Sequence, residues 1–418
     1  MSDDSRADTL LSAIALRTCE WSERWFPDAF AFAMLAVAIV AIAALGIGAA
    51  PLAVANCFGT GFWSLIPFTM QMCFIVIGGY VVADSPPVAR LIARLANLPG
   101  TGRAAVATVA LSSIVVSLLH WGLSLVFSSL LARALARRLD LRMDYRAAGA
   151  AACIGIGSVW ALGLSSSAAQ LQANPASMPA ALLRITGVIP FRETIFLWQS
   201  GLLALVLAVT SVWIAWGSAP AEAQAQTAAR LGVDLSDGFR ELPPRSRPGE
   251  WLEYSPLPVL IVTALGVAWL AREFASKGAM IAVSNLNTYN LVFLLAGLLL
   301  QWRPRRFLDA VSRSVPGVAG VLVQFPLLGA IAAIMTSGAN AQGQTLSTLI
   351  GHWFASVATP STFAVVVGAY SALLGLVLPS GGGKWIVEAP YVMQAANDLH
   401  YHLGWTYRST TPPRHCPT

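Results

Sequence analysis

Long runs without a charged side chain recur along this chain, among them Phe30–Ala49, Phe62–Ala83, Ile195–Trp216 and Val315–Met335. A helix needs about 20 such residues to cross a bilayer. In hydrocarbon every backbone N–H and C=O must be bonded within the protein, so these runs are predicted to be membrane-spanning helices. Only 11% of all residues are charged and 56% are hydrophobic, against about 25% charged in a soluble domain. The fold class that follows is an all-α polytopic membrane protein.

The net charge of +6 does not point to nucleic acid. The arginines cluster beside apolar runs, as the positive-inside rule expects of cytoplasmic loops. Five scattered cysteines contain no CxxC pair, so they define neither a zinc site nor a disulfide framework. The acidic N-terminus (Asp3, Asp4, Asp8) lacks a signal-peptide layout.

Residues 1–28 read as an interfacial segment, with Trp21, Trp25 and Phe26 among Glu20, Glu23, Arg24 and Asp28. A first transmembrane repeat is predicted over 29–217, a cytoplasmic linker over 218–250 and a second, incomplete repeat over 251–405. Within the first, Ala104–Arg138 is apolar but broken at His120-Trp121-Gly122 and flanked by basic loops on both sides. Two short segments between two basic loops predict a hairpin that enters and leaves on one side; a single bent span would put one basic loop outside. Within the second, Pro379-Ser380-Gly381-Gly382-Gly383-Lys384 interrupts an apolar stretch. Each glycine costs about 1 kcal/mol in a helix and proline removes a donor, so two half-helices are expected to meet at an unwound segment. The free N–H groups of the second half-helix, its dipole and the Lys384 ammonium would favour an anion there. Broken helices that hold substrate at mid-membrane are a mark of secondary transporters.

The halves also match each other. Pro99 to His120 and Pro360 to Gly381 are the same distance apart, and Met70-Gln71-Met72 mirrors Val323-Gln324-Phe325. Following the basic loops from side to side inverts the second copy, so inverted repeats with helical hairpins and broken helices are expected.

These motifs carry a resemblance. Trp25-Phe26-Pro27-Asp28, Gly61-Phe62-Trp63, Met70-Gln71-Met72, Trp121-Gly122, Leu286-Asn287-Thr288, Val323-Gln324-Phe325-Pro326 and Pro379-Ser380-Gly381-Gly382-Gly383 resemble the short-chain fatty acid (acetoacetate/butyrate-type) transporter family, within the ion transporter superfamily. The resemblance covers essentially 20–405. It implies a secondary carrier of small monocarboxylates in the cell inner membrane, with Asn287, Thr288 and both hairpin tips lining the substrate and ion sites. His120 and Lys384 depart from the family pattern, which usually has Asn and an uncharged or His residue there. The resemblance also implies further spans after Trp405, whereas Thr406–Thr418 is polar and unlike the rest. A back-translation within codon degeneracy, read in a shifted frame, resembles that continuation. A frameshifted, C-terminally truncated chain with an aberrant tail over 406–418 is therefore expected, and with it poor stability.

The candidate substrate-binding residues are Ser380, Gly381, Gly382, Gly383, Lys384, His120, Trp121, Gly122, Asn287, Thr288, Asn290, Gln71, Gln324, Ser165 and Ser166. Each has a plainer reading. Lys384 can snorkel to the interface or pair with Glu388 four residues on. His120 can bind, relay a proton or hydrogen-bond in a packed core. Asn287, Thr288 and Asn290 open a span and can cap a helix. Gln71 and Gln324 can join helices, and Ser165–Ser167 can be a loop. No catalytic or metal residue is named and no cofactor is expected; the coupling ion is H⁺, through His120 or Glu388, or Na⁺ on carbonyls and hydroxyls. The expected partners are the carboxylate substrate and membrane lipid, with a homodimer compatible and no nucleic acid. Neither HExxH nor a Walker loop is present, against a membrane-embedded enzyme or an ATP-driven pump. A non-transporting remnant is the remaining alternative.

Overall fold

The computed structural model describes residues 21, 24, 25, 27–175, 177–235, 242–377 and 381–410. The first half holds α1 (Ala29–Gly46), α2 (Pro51–Ser64), α3 (Ile66–Ala83), α4 (Pro86–Ala96), α5 (Gly102–Leu119), α6 (Trp121–Ala136), α7 (Tyr145–Ser158), α8 (Ser167–Ala173), α9 (Ala180–Thr186) and α10 (Trp198–Ser218). The second holds α11 (Trp251–Tyr254), α12 (Leu257–Lys277), α13 (Ala279–Ser284), α14 (Leu286–Gln301), α15 (Pro304–Ser314), α16 (Ala319–Ser337), α17 (Leu346–Val357), α18 (Phe363–Val377), α19 (Gly381–Asp398) and α20 (Leu403–Thr410). Among the described residues, 6 segments are long and apolar enough to cross a membrane. The chain is a multi-pass membrane protein built of helices, several of them interrupted.

Local chemistry sets the ends of these helices. Asp28, Thr101, Asp144 and Asn285 accept backbone N–H bonds at the starts of α1, α5, α7 and α14, satisfying donors that have no partner within the helix. Proline opens α2, α3, α4 and α15, where its missing N–H costs nothing. Pro326 and Pro390 lie inside α16 and α19, the position that removes a helical bond and bends a helix.

Both interrupted stretches fold back as hairpins. Ser124 Oγ donates to Ser113 O at 2.8 Å, a contact that a continuous helix cannot make across eleven residues. Arg138, beyond the end of α6, donates to Ala96 O and Pro99 O, ahead of α5, at 3.0 Å each. The 18-residue α5 is counted by length among the spanning helices, yet these contacts make it one arm of a hairpin with α6. In the second half Tyr370 on α18 and Tyr391 on α19 share a 2.6 Å hydrogen bond, and the Phe363 and Tyr401 rings lie 5.2 Å apart. Pro379 and Ser380, at the turn between these arms, lie outside the described residues.

Two basic loops and one uncharged stretch contain helices. The basic segments 84–103 and 303–313 hold α4 and α15, whose arginines share one face, the pattern of helices lying in a membrane interface. The uncharged stretch 336–361 holds α17, started by a reciprocal Thr345–Thr348 capping pair. The linker is strapped to the base of the first hairpin. Arg103 donates to Ala219 O at 3.0 Å and Arg137 to Leu235 O at 2.6 Å, while Gln226 N donates to Asp144 Oδ2 at 2.9 Å.

The central core joins Phe68, Met72, Leu286, Phe325, Trp385 and Tyr391 from both halves. By contrast α10 and α12 expose Leu205, Trp213, Leu265 and Trp269, an apolar surface suited to lipid contact.

Candidate functional site

Ser165 and Ser166, ahead of α8, and Ser167, its first residue, each touch a different element. Ser165 Oγ accepts from Trp121 N, at the tip of the first hairpin, at 2.8 Å. Ser166 and Tyr407 of α20 share a 2.8 Å hydroxyl pair. A Cβ on Gly382, at the tip of the second hairpin, would meet Ser167 Oγ at 2.8 Å and the Phe68 ring at 3.0 Å. Ser165, Ser166 and Ser167 are all buried. One polar turn thus joins the two hairpin tips.

His120 is the hinge of the first hairpin. Its backbone is extended between α5 and α6, and its Nδ1 accepts from Leu123 N at 3.1 Å as the cap of α6. That bond leaves the proton on Nε2, which is buried and lacks a partner among the described residues. The ring stacks on Tyr289 at 5.6 Å and leans on Phe293 at 4.0 Å, and the Tyr289 hydroxyl donates to Leu119 O. Gly122 lies against the backbone of α3, its Cβ position 2.8 Å from Ile75 O. The glycine is therefore required for close helix packing, whatever else the tip does.

Gln71 joins α3 to α14. Its Nε2 donates to Asn287 Oδ1 at 2.9 Å, its Oε1 accepts from Ser177 at 3.2 Å, and its carbonyl accepts from Asn290 Nδ2 at 2.8 Å. The capping role belongs to Asn285, whose Oδ1 accepts from Asn287 N at 2.9 Å and Thr288 N at 3.4 Å. Thr288 Oγ1 and Asn290 Oδ1 remain buried without a hydrogen-bond partner among the described residues. Gln324 is half-buried on α16; among the described residues no hydrogen bond ties it to this group, although the neighbouring Phe325 ring meets Phe68 at 5.6 Å.

Lys384 and Glu388 face each other inside the second hairpin, Nζ to Oε1 at 3.6 Å. Ser371 of α18 stands between them. Lys384 Nζ donates to Ser371 Oγ at 2.5 Å and Ser371 O at 2.9 Å, while the Ser371 hydroxyl reaches the Glu388 oxygens at 2.9 and 3.1 Å. Lys384 does not snorkel: it is 4% exposed. Gly381 and Gly383 sit with Gly382 in the first turn of α19.

Other participants were not among the candidates. Gln172 accepts from Trp385 Nε1 at 3.3 Å and donates to Gly187 O at 3.1 Å. Tyr407 packs edge-on against Trp385. Tyr289 lies within the Asn287–Asn290 motif, which was its available signal. Gln170, fully buried on α8, has no partner at either amide atom among the described residues. Among the described residues no three His, Cys, Asp or Glu side chains gather for a metal.

Spanning helices, two folded-back hairpins and a polar meeting point of their tips are the features of a multi-pass membrane transport protein. The chain belongs to the short chain fatty acid transporter family, whose model matches residues 10–410. It is 34% identical over 383 residues to an Escherichia coli (strain K12) protein whose name assigns it provisionally to the short-chain fatty acid transporters, covering 91% of this chain and 84% of that one. A similarly named protein of Haemophilus influenzae (strain ATCC 51907 / DSM 11121 / KW20 / Rd) is 28% identical over 401 residues, 94% of this chain and 87% of its own length. The fold is also similar to the crystal structure of the Alcanivorax borkumensis YdaH transporter, with a TM-score of 0.52, 15% identity and coverage of 92% of this chain and 86% of that one. The family is one of transporters and not of enzymes. Its match runs past Trp405, where Thr406 and Tyr407 are buried, and so gives no support to a frameshift and truncation at that point.

Proposed function

We propose that this chain is a secondary transporter that takes up short-chain fatty acids or related small monocarboxylates across the bacterial inner membrane. The observation that carries the reading is the meeting of both hairpin tips on Ser165–Ser167, where α19 begins with three small residues and α6 begins just after its cap, His120. Helix starts at such a point offer N–H donors to a carboxylate. His120 Nε2, Thr288 Oγ1 and the Gln170 amide are further buried groups whose bonding capacity is unused among the described residues.

Helix packing supports an inverted repeat as the frame of this carrier. α3 packs on α14, and α16 packs on α1; α6 packs on α3 and α4, and α19 on α16 and α17; α7 packs on α5, and α20 on α18. Each pair repeats the other with the halves exchanged. We therefore divide the chain into a first repeat over 29–217, the 218–250 linker and a second repeat from 251 that includes α20, which holds the place of α7 in the first.

The reading is tested by uptake of labelled butyrate or acetoacetate into proteoliposomes. Saturable uptake above protein-free vesicles is expected. Uptake equal to protein-free vesicles for both acids would remove the proposal and favour a non-transporting role.

A further inference from the structure

Hairpin two contains a polar ladder that the substrate reading leaves unused. Starting at the tip, it runs from Lys384 through Ser371 to Glu388, then to Tyr391, one helical turn further along the same face of α19, and to Tyr370 across the hairpin. Glu388 is 0% exposed and Lys384 4%. An ionisable pair placed so deep in a membrane protein is costly and most often marks an ion or proton route.

The geometry of the pair is unusual for a purely structural one. A direct ammonium–carboxylate bond is about 2.7–2.9 Å long, yet Lys384 Nζ stands 3.6 Å from Glu388 Oε1. The Ser371 hydroxyl accepts from the ammonium and donates to the carboxylate, so the contact is relayed. Such a bridge can be remade when either charge changes. Lys384 also sits in the first turn of α19, beside Gly382 and Gly383 at the tip, on a flexible four-carbon stem.

We propose that Glu388 is the proton-coupling carboxyl of this carrier, and that it competes with the substrate carboxylate for the Lys384 ammonium. The proposal rests on the reading of the chain as a carboxylate carrier. With Glu388 ionised, Lys384 is neutralised within the hairpin and the tip has little hold on an anion. When a proton from solvent binds the Glu388 carboxylate, the ammonium loses its counter-charge and the substrate carboxylate supplies a new one. One proton and one monocarboxylate are thus bound together. On release the anion leaves, the proton returns to solvent and the Lys384–Ser371–Glu388 contact re-forms. Transport is one-to-one and electroneutral.

Among the described residues, Asp144, Lys384 and Glu388 are the buried Asp, Glu, Lys and Arg side chains, and Asp144 lies at the start of α7. Tyr391 on α19 and Tyr370 on α18 are the other titratable groups on the ladder. Neither α8 nor α16 carries a charged residue. Arg184 of α9 and His352 of α17 are exposed, and Tyr407 of α20 is bonded to Ser166.

The test is equilibrium binding of labelled butyrate to the purified full chain in sodium-free buffer between about pH 5.5 and 8.5, where butyrate is the anion. Wild-type affinity should weaken with rising pH, approaching about tenfold per unit, the slope of one proton per anion. Glu388→Gln mimics the protonated carboxyl, so it should bind with the wild-type affinity of the acid limit at every pH. A wild-type affinity independent of pH overturns the proposal. So does a folded Glu388→Gln that keeps the wild-type slope or binds nothing. Should Glu388→Gln fail to fold, Lys384→Gln/Glu388→Gln leaves no unpaired buried charge; it should lose affinity at least a hundredfold, and binding within a few-fold of wild type overturns the proposal. If the wild type binds no butyrate at any pH, the carrier reading fails instead.

Discussion

Gly382 stands against Ser167 so closely that a single added carbon would lie 2.8 Å from the serine Oγ and 3.0 Å from the Phe68 ring. These residues are more than two hundred positions apart, and their contact sets how near the second hairpin approaches the turn that also holds the first. Gly382→Ala should therefore push the tip away and reduce uptake at least tenfold, with an overpacking cost of about 1–3 kcal/mol. Ser167→Gly in the same chain should recover most of the loss. Uptake by Gly382→Ala equal to wild type would show that tip spacing is not critical.

Tyr407 is fully buried, bonded to Ser166 and stacked edge-on against Trp385. Tyr407→Phe removes the hydroxyl and should cost about 1 kcal/mol. Tyr407→Ala also empties an aromatic site and should cost about 3–5 kcal/mol. Thermal unfolding in detergent reads both; an unchanged melting temperature for the alanine variant would place α20 outside the folded core.

The Gln71–Asn287 bond couples α3 to α14. Single alanine variants and the double variant should show a coupling of about 0.5–3 kcal/mol in a stability cycle. Strict additivity would mean that the pair holds nothing together.

Asp84 closes α3 and pairs with Arg313 of α15. Burial pushes its carboxyl up, against the pull of Arg313 and Arg306. A raised value means that the folded chain holds this proton more firmly than the unfolded chain. The contribution is then greatest at low pH and is lost as pH rises through the folded value. The stability of wild type relative to Asp84→Asn should accordingly fall from acid to neutral pH, by about 1 kcal/mol or less for a surface ion pair. The opposite slope would mean that the arginines, and not burial, dominate.

Orientation follows from the basic loops. In a cysteine-free background, cysteines placed beside Arg138 and Arg305 should label only from the cytoplasm, and one beside Gly343 only from outside. Labelling beside Arg305 from outside would dismiss the inverted repeat.

The sequence by itself determined the membrane-spanning class and the break at His120, since uncharged runs and their interruptions act through local backbone chemistry. It also placed Lys384 and Glu388 within reach of each other, because four residues make one helical turn. It marked Asn287, Thr288 and Asn290 but not Asn285 as the cap, a choice made by backbone direction at the helix start. It missed α17, whose flanks carry no charge to mark it. Which breaks meet was settled by packing in three dimensions. Ser166 and Tyr407 are 241 residues apart and Gln71 and Asn290 are 219 apart, and no periodicity links positions so distant. Side-chain packing between the halves brought Ser165, Ser166 and Ser167 to the two tips and drew Tyr407 into the core, and closure of the second hairpin put Ser371 between Lys384 and Glu388. Those placements depend on shape and hydrogen-bond complementarity across the folded bundle, which local composition does not encode.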